Sequence, residues 1–272
     1  MSIAYSPLAR LASFLTGQRC PGCGAACVGW ICPACERSLN RVRLRCTGCA
    51  LPLTAALQAA PADGTAADAA PNTSANASAN AAAHLKPAAP PAPALRCGRC
   101  LSEPPPVAAS HAAFDYAAPG DRLVQALKFR QRTALAAPLA GLLARALPAA
   151  AQGTQPIAFD RILPVPLSPG RERSRGYNQS WELVRRLPPA WGPACWQTLI
   201  RTRDTASQMA LPLAERERNV RGAFAVQRHV AGLHLLLVDD VMTTGATLFE
   251  AARCLRKAGA ASVTALALAR TP

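Results

Sequence analysis

The run Leu235–Thr247, LLLVDDVMTTGAT, limits the possible folds of this chain more than any other stretch. Leu233–Val238 is almost continuously aliphatic, as expected of a strand buried on both faces of a parallel sheet. Asp239-Asp240 then falls at the carboxyl end of that strand, the edge where ligands bind in open α/β sheets. Adjacent carboxylates repel one another unless a cation or hydrogen-bond donors stand beside them, so the pair asks for a polyol or Mg²⁺. Thr243-Thr244-Gly245-Ala246-Thr247 follows, with hydroxyls, a permissive glycine and free N–H groups at a helix start, a turn suited to a phosphate monoester. Taken singly, the acids read as a solvated strand end and the Thr/Gly run as an ordinary helix cap; their junction at this spacing favours a sugar-phosphate site. No G-x-x-x-x-G-K-[ST] occurs, and no G-x-G-x-x-G follows a strand, so neither a P-loop nucleotidase nor a dinucleotide fold is supported.

The surrounding sequence alternates strand and helix patterns. Strands are expected near 111–117, 160–165, 195–201, 233–239 and 262–269, with helices near 119–130, 133–147, 178–187 and 247–258. Such alternation predicts an α/β fold with a mainly parallel sheet and helices on its faces. Thr247 and Glu250 have capping-box spacing, Leu248, Ala251, Ala252 and Leu255 form one apolar face, and Gly259 ends the last helix.

Cys20/Cys23, Cys32/Cys35, Cys46/Cys49 and Cys97/Cys100 are four C-x-x-C pairs. Two such pairs make a tetrahedral Cys₄ site for structural Zn²⁺, and Gly22 and Gly24 give the first knuckle its tight turn. We pair Cys20, Cys23, Cys32 and Cys35 as one site and Cys46, Cys49, Cys97 and Cys100 as the other, an arrangement resembling a double zinc ribbon. Thioredoxin-like redox chemistry is the alternative, but repeated pairs without a βαβ pattern argue against it. Cys27 competes with Cys32 or stays free, whereas Cys195 and Cys254 read as small buried hydrophobes.

Three compositional zones set expected boundaries. Residues 18–102 hold the cysteine module, interrupted at 55–95 by an Ala/Pro-rich stretch too poor in bulky apolar residues to offset the entropy of ordering, and residues 107–272 read as a globular domain. The formal net charge is +15, carried by 27 Arg and 3 Lys against 15 acids; eight thiolates holding two Zn²⁺ would lower it to about +11. A basic balance favours polyanions without naming one. Pro7 and Arg10 interrupt any signal-peptide core, and no stretch approaches the roughly 18 apolar residues of a membrane span, so a cytoplasmic protein is expected.

Two further segments bear on the site. Arg171, Arg173 and Arg175 precede Gly176-Tyr177-Asn178-Gln179 and read either as a mobile loop gripping diphosphate or as a hydrated basic loop. The stretch Arg201–Phe224, with Thr205, Gln208 and Arg216, fits an active-site lid or an exposed hairpin. Lys128 reads by default as a solvated cation closing an apolar-faced helix.

The Leu235–Thr247 run resembles the 5-phosphoribosyl-1-diphosphate loop of type I phosphoribosyltransferases. That resemblance assigns the ribose 2′- and 3′-hydroxyls to Asp239 and Asp240, which would serve the chemistry, and the 5′-phosphate to Thr243, Thr244, Gly245, Ala246 and Thr247. Read in order, the C-x-x-C pairs, ALKFR at 126–130, PVPL at 164–167, RGYNQ at 175–179, T-x-x-Q at 205–208 and R-x-x-N-V at 216–220 resemble the ComF competence family. The resemblance implies a zinc ribbon on a phosphoribosyltransferase fold, substrate contacts from Arg175 and Gln208, and Mg²⁺ with the diphosphate. It also implies a role in DNA uptake, with single-stranded DNA and other competence proteins as partners. An active transferase of nucleotide metabolism and a non-catalytic ligand sensor are the alternatives.

Overall fold

A computed structural model describes residues 17–41, 43–53, 95–129, 132–147, 158–203 and 218–272. Residues 55–94, together with Arg130, Thr205, Gln208 and Arg216, lie outside the described residues.

The central sheet is parallel throughout, in the order β1 (Ala109–Asp115), β6 (Ser262–Arg270), β5 (His234–Met242), β2 (Arg161–Pro164). A two-stranded antiparallel ribbon, β3 (Leu199–Arg201) with β4 (Phe224–Val226), stands apart from it and pairs Leu199 with Val226 and Arg201 with Phe224. Two short helices, α1 (Pro33–Leu39) and α2 (Gly98–Ser102), belong to the cysteine segments. The others are α3 (Gly120–Phe129), α4 (Ala136–Ala144), α5 (Pro169–Arg175), α6 (Gln179–Val184) and α7 (Ala246–Lys257).

The aliphatic run of β5 divides between two cores, because successive strand side chains point to opposite faces. Leu236 and Val238 join Leu123, Leu127, Leu139 and Leu183 on one face. Leu235 and Leu237 join Leu248, Ala251 and Leu255 on the other. The expected apolar face of α7 is therefore what seals the second core.

Three local expectations are corrected. The arginine stretch 171–175 is helical: Ser168 is extended at the N-cap, Pro169 occupies the first turn where its missing N–H costs nothing, and Gly176 closes the helix at φ +80. The short strand β4 was not expected, since three residues carry too little periodicity to register. No capping box forms on α7; its N-cap is Gly245, and Glu250 Oε1 instead accepts the Gly222 N–H at 2.7 Å.

Candidate functional site

Because β2 and β5 run parallel, their carboxyl ends open on the same edge. β2 pairs with β5 only as far as Pro164 opposite Val238, so Asp239 and Asp240 emerge where β2 has stopped. A cavity of about 630 Å³ lies there. The acids line it together with Thr243 and Thr247 beyond β5, Arg171 and Arg175 of α5, and Lys128 at the end of α3.

Both acids are buried, Asp239 at 8% exposure and Asp240 at 3%. Ser180 Oγ donates to Asp239 Oδ1 at 3.1 Å, and the Asp240 N–H donates to the same oxygen at 2.9 Å. Lys128 Nζ stands 2.9 Å from Asp240 Oδ2. Burial, reinforced by the charge of Asp240, pushes the Asp239 carboxyl up to about 7, against the opposing pull of Lys128. Asp239 thus keeps its proton until about pH 7, beside the Lys128–Asp240 ion pair.

The segment 175–180 fixes these positions. Asn178 caps α6 by accepting the N–H groups of Ser180 and Trp181 at 2.8 and 3.1 Å, and its Nδ2 donates to Val165 O at 3.0 Å, fastening the helix to the end of β2. That cap aims Ser180 at Asp239. Tyr177 Oη donates to Leu127 O, which holds the last turn of α3 and so brings Lys128 to the acids. Arg175 donates to Gln179 Oε1 and lies over the Phe129 ring at 5.3 Å from its centroid.

Gly245 is required twice over in the turn after β5. Its φ is +87, and a Cβ there would stand 2.5 Å from the Phe249 ring and 2.9 Å from Met242 Cε. The Ala246 N–H donates to Thr244 Oγ1 at 3.2 Å, so one loop hydroxyl organises the start of α7.

The cysteines converge as two quartets, Cys20/Cys23/Cys32/Cys35 and Cys46/Cys49/Cys97/Cys100, each with its sulfurs within 4.8 Å of one another. A tetrahedral zinc with Zn–S near 2.3 Å sets sulfurs roughly 3.8 Å apart. The Cys23–Cys32 and Cys49–Cys97 sulfurs are 3.6 and 3.7 Å apart. Burial opposes ionisation of Cys20 and Cys46, but backbone N–H groups, led by those of Cys32 and Cys97 respectively, outweigh it and bring both thiols down to about 7. N–H donors aimed at sulfur favour the thiolate that a metal needs, so both quartets fit a structural Zn²⁺.

The phosphoribosyl transferase domain family matches residues 196–272. The DNA utilization protein YhgH of Salmonella typhi is 43% identical over 181 residues, 66% of this chain and 79% of that protein. Competence protein F of Haemophilus influenzae is 32% identical over 182 residues, 65% of this chain and 79% of that protein. This chain belongs to the ComF family. Its fold is the type I phosphoribosyltransferase-like parallel sheet with an N-terminal zinc-ribbon module. Competence protein ComFC of Bacillus subtilis matches more narrowly, at 38% identity over 112 residues, 40% of this chain and 44% of that protein.

In this ComF chain the fold brings Asp239, Asp240, Thr243, Thr247 and Arg175 to one cavity, while Gln208 lies outside the described residues. Sequence reasoning read Lys128 as a solvated cation and passed over Ser180, whereas both contact the acids. Neither carries a local signal, because Lys128 meets Asp240 across 112 residues of chain and Ser180 meets Asp239 across 59. Arg43 and Arg45 clamp Asp115 at 2.8 and 2.7 Å, and the Arg45 side chain is only 11% exposed.

A second, shallower groove runs beside the first quartet. It is lined by Arg19, Arg122 and Arg132 with the half-exposed Trp30, and among the described residues no acid lines it. Arg19 and Arg122 each donate to a carbonyl of the first knuckle, those of Gly24 and Gly22 at 3.1 and 3.3 Å. No helix among the described residues is long and apolar enough to cross a membrane.

Proposed function

We propose that the cavity binds 5-phosphoribosyl-1-diphosphate with Mg²⁺, and that this ComF protein serves DNA uptake during natural transformation from the cytoplasm. The observation that carries the ligand reading is the buried Asp239–Asp240 pair facing a hydroxyl-rich turn at the start of α7. The carboxylates would accept the ribose 2′- and 3′-hydroxyls. The N–H groups and hydroxyls of residues 243–247 would take the 5′-phosphate. Arg171 and Arg175, which line the same cavity, suit a diphosphate, and Gln208 is assigned to the same ligand from the family motif. Hard carboxylate oxygens beside a diphosphate suit Mg²⁺, which would neutralise charge developing on that group as a leaving group. Residues 18–102 are assigned to the ribbon, with an insertion at 55–95, and residues 107–272 to the transferase-like domain.

The DNA-uptake part rests on relatives named a DNA utilization protein and a competence protein. Three arginines beside an exposed indole in one groove agree with a single-stranded DNA partner, since that combination takes both backbone phosphates and stacked bases.

Calorimetry with 5-phosphoribosyl-1-diphosphate and Mg²⁺ tests the ligand reading. Asp239→Asn with Asp240→Asn is expected to weaken binding at least tenfold, and unchanged affinity in that double variant would remove the site. Diphosphate release on adding candidate acceptors separates a transferase from a ligand sensor. Wild-type transformation frequency in a deletion strain of a naturally competent host would end the DNA-uptake assignment.

A further inference from the structure

Arg270, the last residue of β6, is a buried cation with 6% exposure. Among the described residues no carboxylate forms an ion pair with it. Its hydrogen bonds run to backbone carbonyls: Nε donates to Cys49 O at 2.8 Å, and Nη1 donates to Met242 O at 3.4 Å and to Thr271 O. Two of those carbonyls belong to different sites. Cys49 is one of the second cysteine quartet, whereas Met242 is the last residue of β5, immediately before the 243–247 turn. The Thr271 N–H also donates to Met242 O, at 3.0 Å. Met242 Cε in turn lies where a side chain at Gly245 would have to go.

Charge gives this bridge its direction. A buried guanidinium bonded only to neutral carbonyls is costly unless an opposite charge stands near it. Four thiolates around one Zn²⁺ carry a net charge of about −2. Further contacts fix the knuckle to the sheet: the Ser110 N–H donates to Thr47 O and Ser110 Oγ to Gly48 O, both at 2.7 Å. A shift of the knuckle is therefore felt at β1 and, through Arg270, at the end of β5.

We propose that Arg270 couples metal occupancy of the second quartet to the 243–247 turn. It is a positioning residue: the metal–thiolate centre balances its charge, and it holds Met242 and hence the turn in place. The effect on affinity rests on the 5-phosphoribosyl-1-diphosphate reading; the coupling itself does not. Linkage makes the coupling reciprocal, so a ligand that needs the ordered turn must tighten the second metal by the same factor.

The experiment uses the full zinc-loaded chain and compares wild type with Arg270→Met and Arg270→Lys. Hydrogen exchange of amides 243–247 is expected to be at least tenfold faster in Arg270→Met, with peptides from α6 little changed. Arg270→Lys, which keeps the charge and can keep one carbonyl bond, should fall between. In wild type, 5-phosphoribosyl-1-diphosphate should slow release of one of the two zinc ions to a chromogenic chelator, and Arg270→Met should abolish that slowing. A folded Arg270→Met chain with wild-type exchange at 243–247 overturns the coupling. If that variant does not fold, wild-type exchange in Arg270→Lys overturns it instead. Shifted exchange in a protein whose wild type does not bind the diphosphate sugar removes the ligand reading and leaves the coupling intact.

Discussion

At the scale of single residues, the cavity is governed by how two adjacent buried carboxylates are kept from repelling each other. Lys128 balances Asp240, while Asp239 is relieved by holding its proton to about pH 7. Breaking a buried pair from one side leaves an uncompensated charge and costs about 3 kcal/mol. Lys128→Met should therefore lose roughly that much stability in denaturant unfolding, and Lys128→Met with Asp240→Asn should recover most of it. Full additivity of the two single losses would mean that the pair does not interact. The proton on Asp239 has a separate consequence with a fixed sign. Its folded value of about 7 lies above the ordinary 3.8, so between those values the folded chain holds a proton that the unfolded chain has released. Its contribution to stability is accordingly lost as pH rises from about 4 to about 7, and changes little above that. Asp239→Asn should flatten this part of the melting-temperature profile, and an unchanged slope would assign the effect to another group.

At the scale of elements, the junction of β5, turn and α7 depends on one conformation that only glycine tolerates well. Gly245→Ala adds a left-handed-backbone cost of about 1–2 kcal/mol to a clash with Phe249 and Met242 that overpacking data put at about 1–3 kcal/mol. The variant should melt several degrees lower and bind the diphosphate sugar at least tenfold more weakly; wild-type behaviour in both assays would mean that the turn adapts freely. This junction was legible in the sequence because its signals are local: an unbroken aliphatic run, acids at its end, glycine, then helical periodicity. Helix α5 was hidden because Pro169, Gly170 and a dense arginine run look like a loop, although proline is tolerated in a first helical turn. The cap of α7 was misassigned because Thr247–Glu250 spacing is only a possibility until the backbone chooses its N-cap, and Gly245 takes that position. The partners of the acids could not be read at all, since tertiary packing alone decides that Lys128 and Ser180 meet them.

At the scale of the whole molecule, the buried cysteines of the two quartets pack into the two cores of the sheet, one quartet to each core. Cys20, Cys32 and Cys35 pack in the cluster that contains Leu123, Leu127, Leu139 and Ile162. Cys46, Cys49, Cys97 and Cys100 pack in the cluster with Leu163, Leu235 and Leu248. The compositional zones of the sequence suggest that a damaged ribbon would leave the rest of the chain largely intact, but shared cores predict otherwise. Structural zinc contributes its binding free energy to folding, and here that contribution is spent on surfaces the sheet also needs. Purified protein should carry about two zinc ions per chain. Cys23→Ser alters the most exposed ligand of the first quartet and should release one of them. It should also lower the melting temperature of the β-sheet signal itself, in one transition, by more than the roughly 4 °C that about 1 kcal/mol shifts a domain of this size. Two separated transitions, with the sheet melting at its wild-type temperature, would instead establish an independent ribbon and refute the shared-core account.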